Sequence, residues 1–288
     1  MHGGRLGRTG TAAHRDPSAV IWYQQDLMTS LAGKVVAVTG ASGIAASAAL
    51  RFADEGARVL VFSIEEGECV ALGSKISAKG AENHWVAVDL RDGDATEGAF
   101  AAGHARFGRL DGLFAVAGGS GRRFGDGPLH ELSTEAWRST LELNDLPAFH
   151  AVRAALRIML GEQSSGSIVV ISSVLALAPS PRLFATHAYA VAKSETLSMV
   201  RTAASYYTPH RIRINGIAPG LVDTPMAARA AADPETLVYA RRKQPLAGGL
   251  LDPAEIAAAA VFLLSDQSRM FTGQILAVDG GWSVTEVS

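Results

Sequence analysis

Tyr189 and Lys193 stand four residues apart in "HAYAVAKSETL" (187–197), an alanine-rich stretch that reads as helix. Residues at this spacing lie one turn above each other, so the ammonium can come within several ångströms of the phenol. A free phenol titrates near pH ~10, and a neighbouring cation favours the phenolate, drawing the group toward acid or base work near neutrality. The same spacing occurs in helices that make no use of it. The pair alone therefore leaves two readings open, a catalytic couple or two residues that share a helix face.

The elements that must position this helix are legible along the chain. From Lys34 onward short β-branched runs alternate with alanine-rich stretches. "KVVAVT" precedes a helix near 43–55, "RVLVFS" one near 65–79, and "HWVAV" one near 94–107. "LDGLFAVA" leads to a long helix near 133–160. "GSIVVISS", the helix with Tyr189, "RIRINGIAP", a helix near 253–265 and "GQILAVDGG" complete the series. Seven strands with intervening helices predict an α/β fold, a Rossmann-type doubly wound parallel sheet covered on both faces. Right-handed crossovers then place a ligand beyond the carboxyl ends of the strands. There "TGASGIAASAAL" (39–50) sets Gly40 and Gly43 between the first strand and a helix, where backbone N–H groups can approach a pyrophosphate.

Composition removes other classes. The formal charge of the 288-residue chain is −2, with both signs mixed after the first segment, which gives no electrostatic footprint for nucleic acid. Cys69 is the single cysteine, so no intrachain disulfide forms and no cysteine metal cluster is indicated; the site needs no metal. No run of eighteen apolar residues is present, so no membrane association is expected. Residues 1–30 read as a flexible extension, with an organelle transit sequence as the second reading of Arg5, Arg8 and Arg15, and Met28 has the look of a natural start. Residues 31–288 read as one domain, to which the resemblance set out below gives a dinucleotide-binding catalytic character.

Taken in order, "TGASGIA", "VDL" (88–90), "AVAGG" (115–119), "LELN" (141–144), "ISS" (171–173), "YAVAK", "NGIAPGLVDTPM" (215–226) and "TGQILAVDGG" (272–281) resemble the motifs of the short-chain dehydrogenase/reductase family, in its compact single-domain branch. The resemblance covers about residues 31–283 and implies NAD(P)-dependent interconversion of a secondary alcohol and a ketone. It implies Tyr189 as general acid or base, Lys193 lowering its pKa and bonding the nicotinamide ribose, Ser173 polarising the substrate oxygen, and Asn144 in a proton relay toward Lys193. Ketone reduction does need an oxygen-directed hydrogen-bond donor and a proton source matched to neutral pH, while the cofactor brings the hydride. Strand alternation aims Ser172 and Ser173 at opposite faces, and the family uses the second. The cofactor would rest on Gly40, Ser42, Gly43, Ile44, Ser63, Asp89, Leu90, Ala117, Gly118, Pro219, Gly220, Val222 and Thr224, besides Tyr189 and Lys193.

Departures from the family pattern are specific. Aligned on the helix, Ala45 replaces the third glycine of the turn; aligned on the strand, the turn is Gly40-x-x-Gly43-x-x-Ala46. Ala115 and Val116 stand where the family has two asparagines. The stretch from Ser173 to Tyr189 is lengthened around "APSPRLFAT". After the second strand come Ser63, Ile64, Glu65 and Glu66, whose carboxylates would repel a 2′-phosphate, so NAD is expected before NADP. Residues 224–250 would form a lid over a small-molecule alcohol or ketone, and Arg122–Arg123 and Arg241–Arg242 flank its mouth as receivers of an acidic substrate or as solvated surface charge. The family habit and the apolar "TGQILAVDGGWS" imply a homotetramer or dimer, in the cytoplasm. The rival reading is a nucleotide-binding regulator that kept the fold and lost turnover.

Overall fold

The computed structural model describes residues 30–286. The readings placed on residues 1–29 lie outside them. In chain order the elements are β1 (Val35–Thr39), α1 (Gly43–Asp54), β2 (Arg58–Ser63), α2 (Glu66–Ala78), β3 (Asn83–Ala87), α3 (Gly93–Phe107), β4 (Gly112–Ala115) and α4 (Thr134–Gly161). They continue with β5 (Gly166–Ile171), α5 (His187–Tyr207), β6 (Ile212–Pro219), α6 (Ala228–Ala231), α7 (Pro234–Lys243), α8 (Pro253–Leu264) and β7 (Ile275–Val278). The strands form one parallel sheet in the order β3-β2-β1-β4-β5-β6-β7. Strand order reverses between β1 and β4, and the loops leaving those two strands diverge there into a crevice.

β1 shows why the sheet sits where it does. All five of its residues are buried, because helices cover both faces. Val36 and Val38 pack into the layer built with α1 and α8, while Val35 and Ala37 enter the opposite layer with α3, α4 and α5. Each fully buried valine of this kind contributes roughly 1.5–3 kcal/mol. The helices begin where their caps dictate. Asp92 accepts from Asp94 and Ala95 N–H at the start of α3, and Asp252 accepts from Ala254 N–H ahead of Pro253 at the start of α8.

One strand is shorter than its sequence suggests. β4 ends at Ala115 because the next two amides leave the ladder: Val116 and Ala117 N–H both donate to the Thr39 hydroxyl, at 2.8 and 3.0 Å. That hydroxyl joins the ends of β1 and β4, where the two asparagines of the family pattern are missing. Local order at the crevice therefore persists without them.

Candidate active site

The crevice opens into a cavity of about 450 Å³, within the range of small-molecule sites. Its floor is made by four side chains from three elements. Ser173 follows β5, Tyr189 and Lys193 lie on α5, and Asn144 lies on α4. Ser173, Tyr189 and Lys193 line the cavity directly, together with Gly118, Pro219, Gly220, Val222 and Thr224.

Asn144 is buried and fully used. Its Nδ2 donates to the carbonyls of Gly119 (3.0 Å) and Thr140 (2.9 Å), and its Oδ1 accepts from Gly119 N–H at 3.2 Å. The backbone after β4 comes so near that a Cβ at Gly118 would lie 2.7 Å from Asn144 Oδ1 and 3.5 Å from Lys193 Nζ. Only glycine permits that approach. The two serines diverge as strand alternation predicts. Ser172 donates to the Lys193 carbonyl at 2.7 Å and so ties β5 to α5. The Ser173 hydroxyl accepts from Leu175 N–H at 3.2 Å and faces the Tyr189 phenol.

The electrostatics of the helical pair differ from the expectation drawn from spacing. Burial pushes the Tyr189 phenol above its ordinary value, and the Ser173 hydroxyl pulls it partly back. Lys193 sits 5.8 Å from the phenol ring centre and donates to the Ile171 carbonyl at 3.3 Å. Lys193 itself is 5% exposed, and desolvation draws its ammonium down to about 8 against the opposing charge of Asp145. Asp145, beside Asn144, is in turn pushed up to about 7 by burial and by Glu195.

Sequence reasoning missed the residue that seats this helix. Thr186, the residue before α5, makes no side-chain cap. The buried carboxylate of Asp126 serves instead, accepting from Ala188 and Tyr189 N–H at 3.0 Å each. It comes from the β4–α4 connection, 63 positions before Tyr189, which no local cap pattern reveals.

The roof was also illegible. The lengthened loop, α7 and the C-terminal segment meet in a cluster of Phe184, Tyr239 and Trp282, whose ring centres are 5.3 to 6.1 Å apart. Trp282 is buried, and its indole N–H donates to the Ala178 carbonyl at 3.2 Å. Ser180 donates to the Tyr239 hydroxyl at 2.7 Å. At the lid's base Gln244, wholly buried, bonds both the N–H and the carbonyl of Leu221. Of the four arginines expected at the mouth, Arg122 lines the cavity, while Arg123 lies over Phe124 and Arg241 and Arg242 are exposed away from it. Arg229 of α6, which the sequence reading passed over, lines it instead.

The outer part of the crevice lies at the ends of β1, β2 and β3. Gly40 (φ +99°) and Gly43 (φ +53°) turn the chain into α1, whose preceding residue Ser42 makes no side-chain cap, leaving the first amides of the helix free of side-chain partners. Ala45 packs against Gly40, whose added Cβ would meet the Ala45 methyl at 3.1 Å. Ile44 reaches the cavity, while Ser63 and Leu90 are buried at their strand ends and Asp89 is forked to Arg91. A glycine turn, uncapped helix amides and a backbone close enough to exclude a Cβ fit a dinucleotide, with its pyrophosphate on the α1 amides.

Residues 38–283 match a family model described as enoyl-(acyl carrier protein) reductase. The chain is 36% identical over 255 residues to cis-4-hydroxycyclohexanecarboxylate dehydrogenase of Sinomonas cyclohexanicum, covering 88% of this chain and 98% of that one. It is 34% identical over 255 residues, with the same coverage, to 2,5-dichloro-2,5-cyclohexadiene-1,4-diol dehydrogenase of Sphingobium indicum. Carveol dehydrogenase from Mycobacterium avium, solved in complex with NAD, superposes with a TM-score of 0.81 at 28% identity, over 88% of this chain and 99% of that one. The chain belongs to the short-chain dehydrogenase/reductase family. It is an NAD(P)-dependent oxidoreductase acting on CH–OH groups, interconverting a secondary alcohol and a ketone, and nothing in these likenesses favours a regulator.

Proposed function

We propose that the chain oxidises a cyclic secondary alcohol, or reduces the matching ketone, with NAD as its preferred cofactor. The observation that carries the reading is the floor of the cavity, where the Ser173 hydroxyl and the Tyr189 phenol face each other with Lys193 buried beneath. Ser173 and Tyr189 hydrogen-bond the substrate oxygen. In reduction Tyr189 passes its proton to that oxygen as negative charge develops there, and in oxidation it takes the proton back. The bound dinucleotide supplies or accepts the hydride. Lys193 holds the ribose and keeps a proton close to the phenol, and Asn144 fixes the Gly118–Gly119 backbone against which both sit. Gly40, Ser42 and Gly43 hold the pyrophosphate, while Ser63, Asp89 and Leu90 border the adenosine.

Glu65 and Glu66 stand exposed after β2, and no lysine or arginine occurs from 63 to 68, which supports NAD over NADP. The ring alcohols in the relatives' names support a cyclic substrate, as does a cavity lined by Leu175, Phe184, Leu221 and Trp282. A homodimer or homotetramer accords with the apolar residues left exposed at Phe149, Met270, Phe271 and Leu276. A cytoplasmic setting accords with the lone buried thiol, and among the described residues no helix is long and apolar enough to cross a membrane. Residues 31–288 act as one catalytic unit, to which 1–30 are an extension.

The test is NADH and NADPH binding beside turnover of cyclohexanol and cyclohexanone by the wild type and Tyr189→Phe. Turnover that collapses in the variant while NADH still binds supports the reading. Equal turnover by both proteins would sink it, and tighter binding of NADPH would reverse the cofactor preference.

A further inference from the structure

Two guanidinium groups reach the same cavity from opposite walls. Arg122 lies in the short 3-10 turn Gly121–Phe124 after β4, and Arg229 lies on α6 of the lid. Among the described residues neither forms an ion pair. Arg122 is half-buried and gives one N–H to the Leu183 carbonyl at 3.0 Å, which aims the planar group and leaves its other donors unused. Burial disfavours the charge on Arg122, and the nearby Arg229 does so further, while Asp126 works the other way.

The nearby carboxylates are committed elsewhere. Asp126 spends both oxygens on the α5 amides. Asp233, which also lines the cavity, caps α7 through Glu235 N–H, Thr236 N–H and the Thr236 hydroxyl. Leu183, Phe184, Met226 and Trp282 make much of the remaining wall apolar, beside several serines and threonines. Asp126 and Asp233 act on Arg122 and Arg229 only from beyond ion-pair distance, so the half-buried Arg122 and the exposed Arg229, at one mainly apolar hollow, keep donors free for an anion.

We propose that Arg122 and Arg229 receive a carboxylate carried by the substrate, so that the enzyme acts on an alicyclic or aromatic hydroxy or keto acid rather than on a neutral alcohol. This rests on the oxidoreductase reading above and adds the substrate's charge to it. Closure of α6 over the acid would bring the second guanidinium to the oxygen pair that the first already holds.

The experiment is calorimetric titration of the full-length chain, with NAD present, by cyclohexanecarboxylate and by cyclohexanecarboxamide. The acid is expected to bind about ten- to a hundredfold more tightly than the amide, the effect of hydrogen bonds to a charged partner. That advantage shrinks at least about fivefold in Arg122→Met and in Arg229→Met, and added salt weakens only the acid. Arg229→Met guards against a folding effect at Arg122, because Arg229 is exposed and makes no hydrogen bond to the described residues. Equal binding of acid and amide to the wild type, or an advantage that survives both substitutions, would overturn the proposal. Failure of the parent reading looks different: NAD binds and the acid preference persists, but no alcohol is turned over.

Discussion

The floor and the roof of the cavity are held by opposite kinds of force. On the floor Asn144, Ser172 and Lys193 are tied by hydrogen bonds to the backbone of α4, α5, β5 and the loop after β4. The roof is fastened chiefly by ring contacts among Phe184, Tyr239 and Trp282, with a few hydrogen bonds from Trp282, Ser180 and Gln244 at its margins. Directional bonds fix atoms where a proton must pass, whereas packing tolerates changes of shape. On the proposed function, chemistry belongs to the first region and choice of substrate to the second.

Substitutions can break this division. The largest effect is expected at Tyr189→Phe, with kcat lowered by about 10²–10⁴-fold and NADH affinity unchanged, measured by steady-state kinetics and calorimetry. On the roof, Trp282→Ala removes a buried ring and is expected to cost about 3–5 kcal/mol in urea denaturation. There the kinetic loss should fall on KM more than on kcat; the reverse would erase the distinction between the regions. Asp126→Ala uncaps α5 and should lower stability by about 1–2 kcal/mol together with kcat, both partly restored in Asp126→Asn.

A buried lysine and a half-buried aspartate sharpen the picture through pH. Lys193 titrates at about 8 when folded against an ordinary 10.5, so between those values the unfolded chain holds more protons and stability rises with pH. Lys193→Met should abolish that rise in melting temperatures taken from pH ~7.5 to ~10. Asp145 is shifted the other way, from 3.8 to about 7, so the folded chain holds the extra proton and stability falls as pH climbs through that window. Asp145→Asn should therefore raise the melting temperature more at pH ~8 than at pH ~4.5.

The floor was legible in the sequence because its residues sit in short motifs on regular elements. Tyr189, Lys193 and Ser173 were placed by a four-residue spacing, an alternating strand end and the family resemblance, and the seven strands fell within a few residues of their expected bounds. What escaped were partners brought together by the fold. Thr39 meets the amides of Val116 and Ala117 from 77 and 78 positions away, and the Trp282 indole meets the Ala178 carbonyl across 104. The meeting of Arg122 and Arg229 at one cavity is of the same kind, since the path of the chain after β6 decides which arginines line it. The phenol's raised pKa was missed for another reason: spacing gives proximity and says nothing of desolvation.

Gly220 carries a lesson for anyone transplanting lids between related enzymes. A Cβ at that position would lie 2.2 Å from the Gln244 side-chain oxygen and 2.9 Å from Leu251. The turn at Gly220 and the side chain of Gln244 thus occupy one shared slot, filled from the far side. A graft that imports residues 224–250 without a glycine at 220, or keeps the glycine while losing the glutamine, would carry a collision or a hole into the new chimera. The two positions form a single cassette, although Leu221 and the Gln244 bonded to it stand 23 positions apart in the chain.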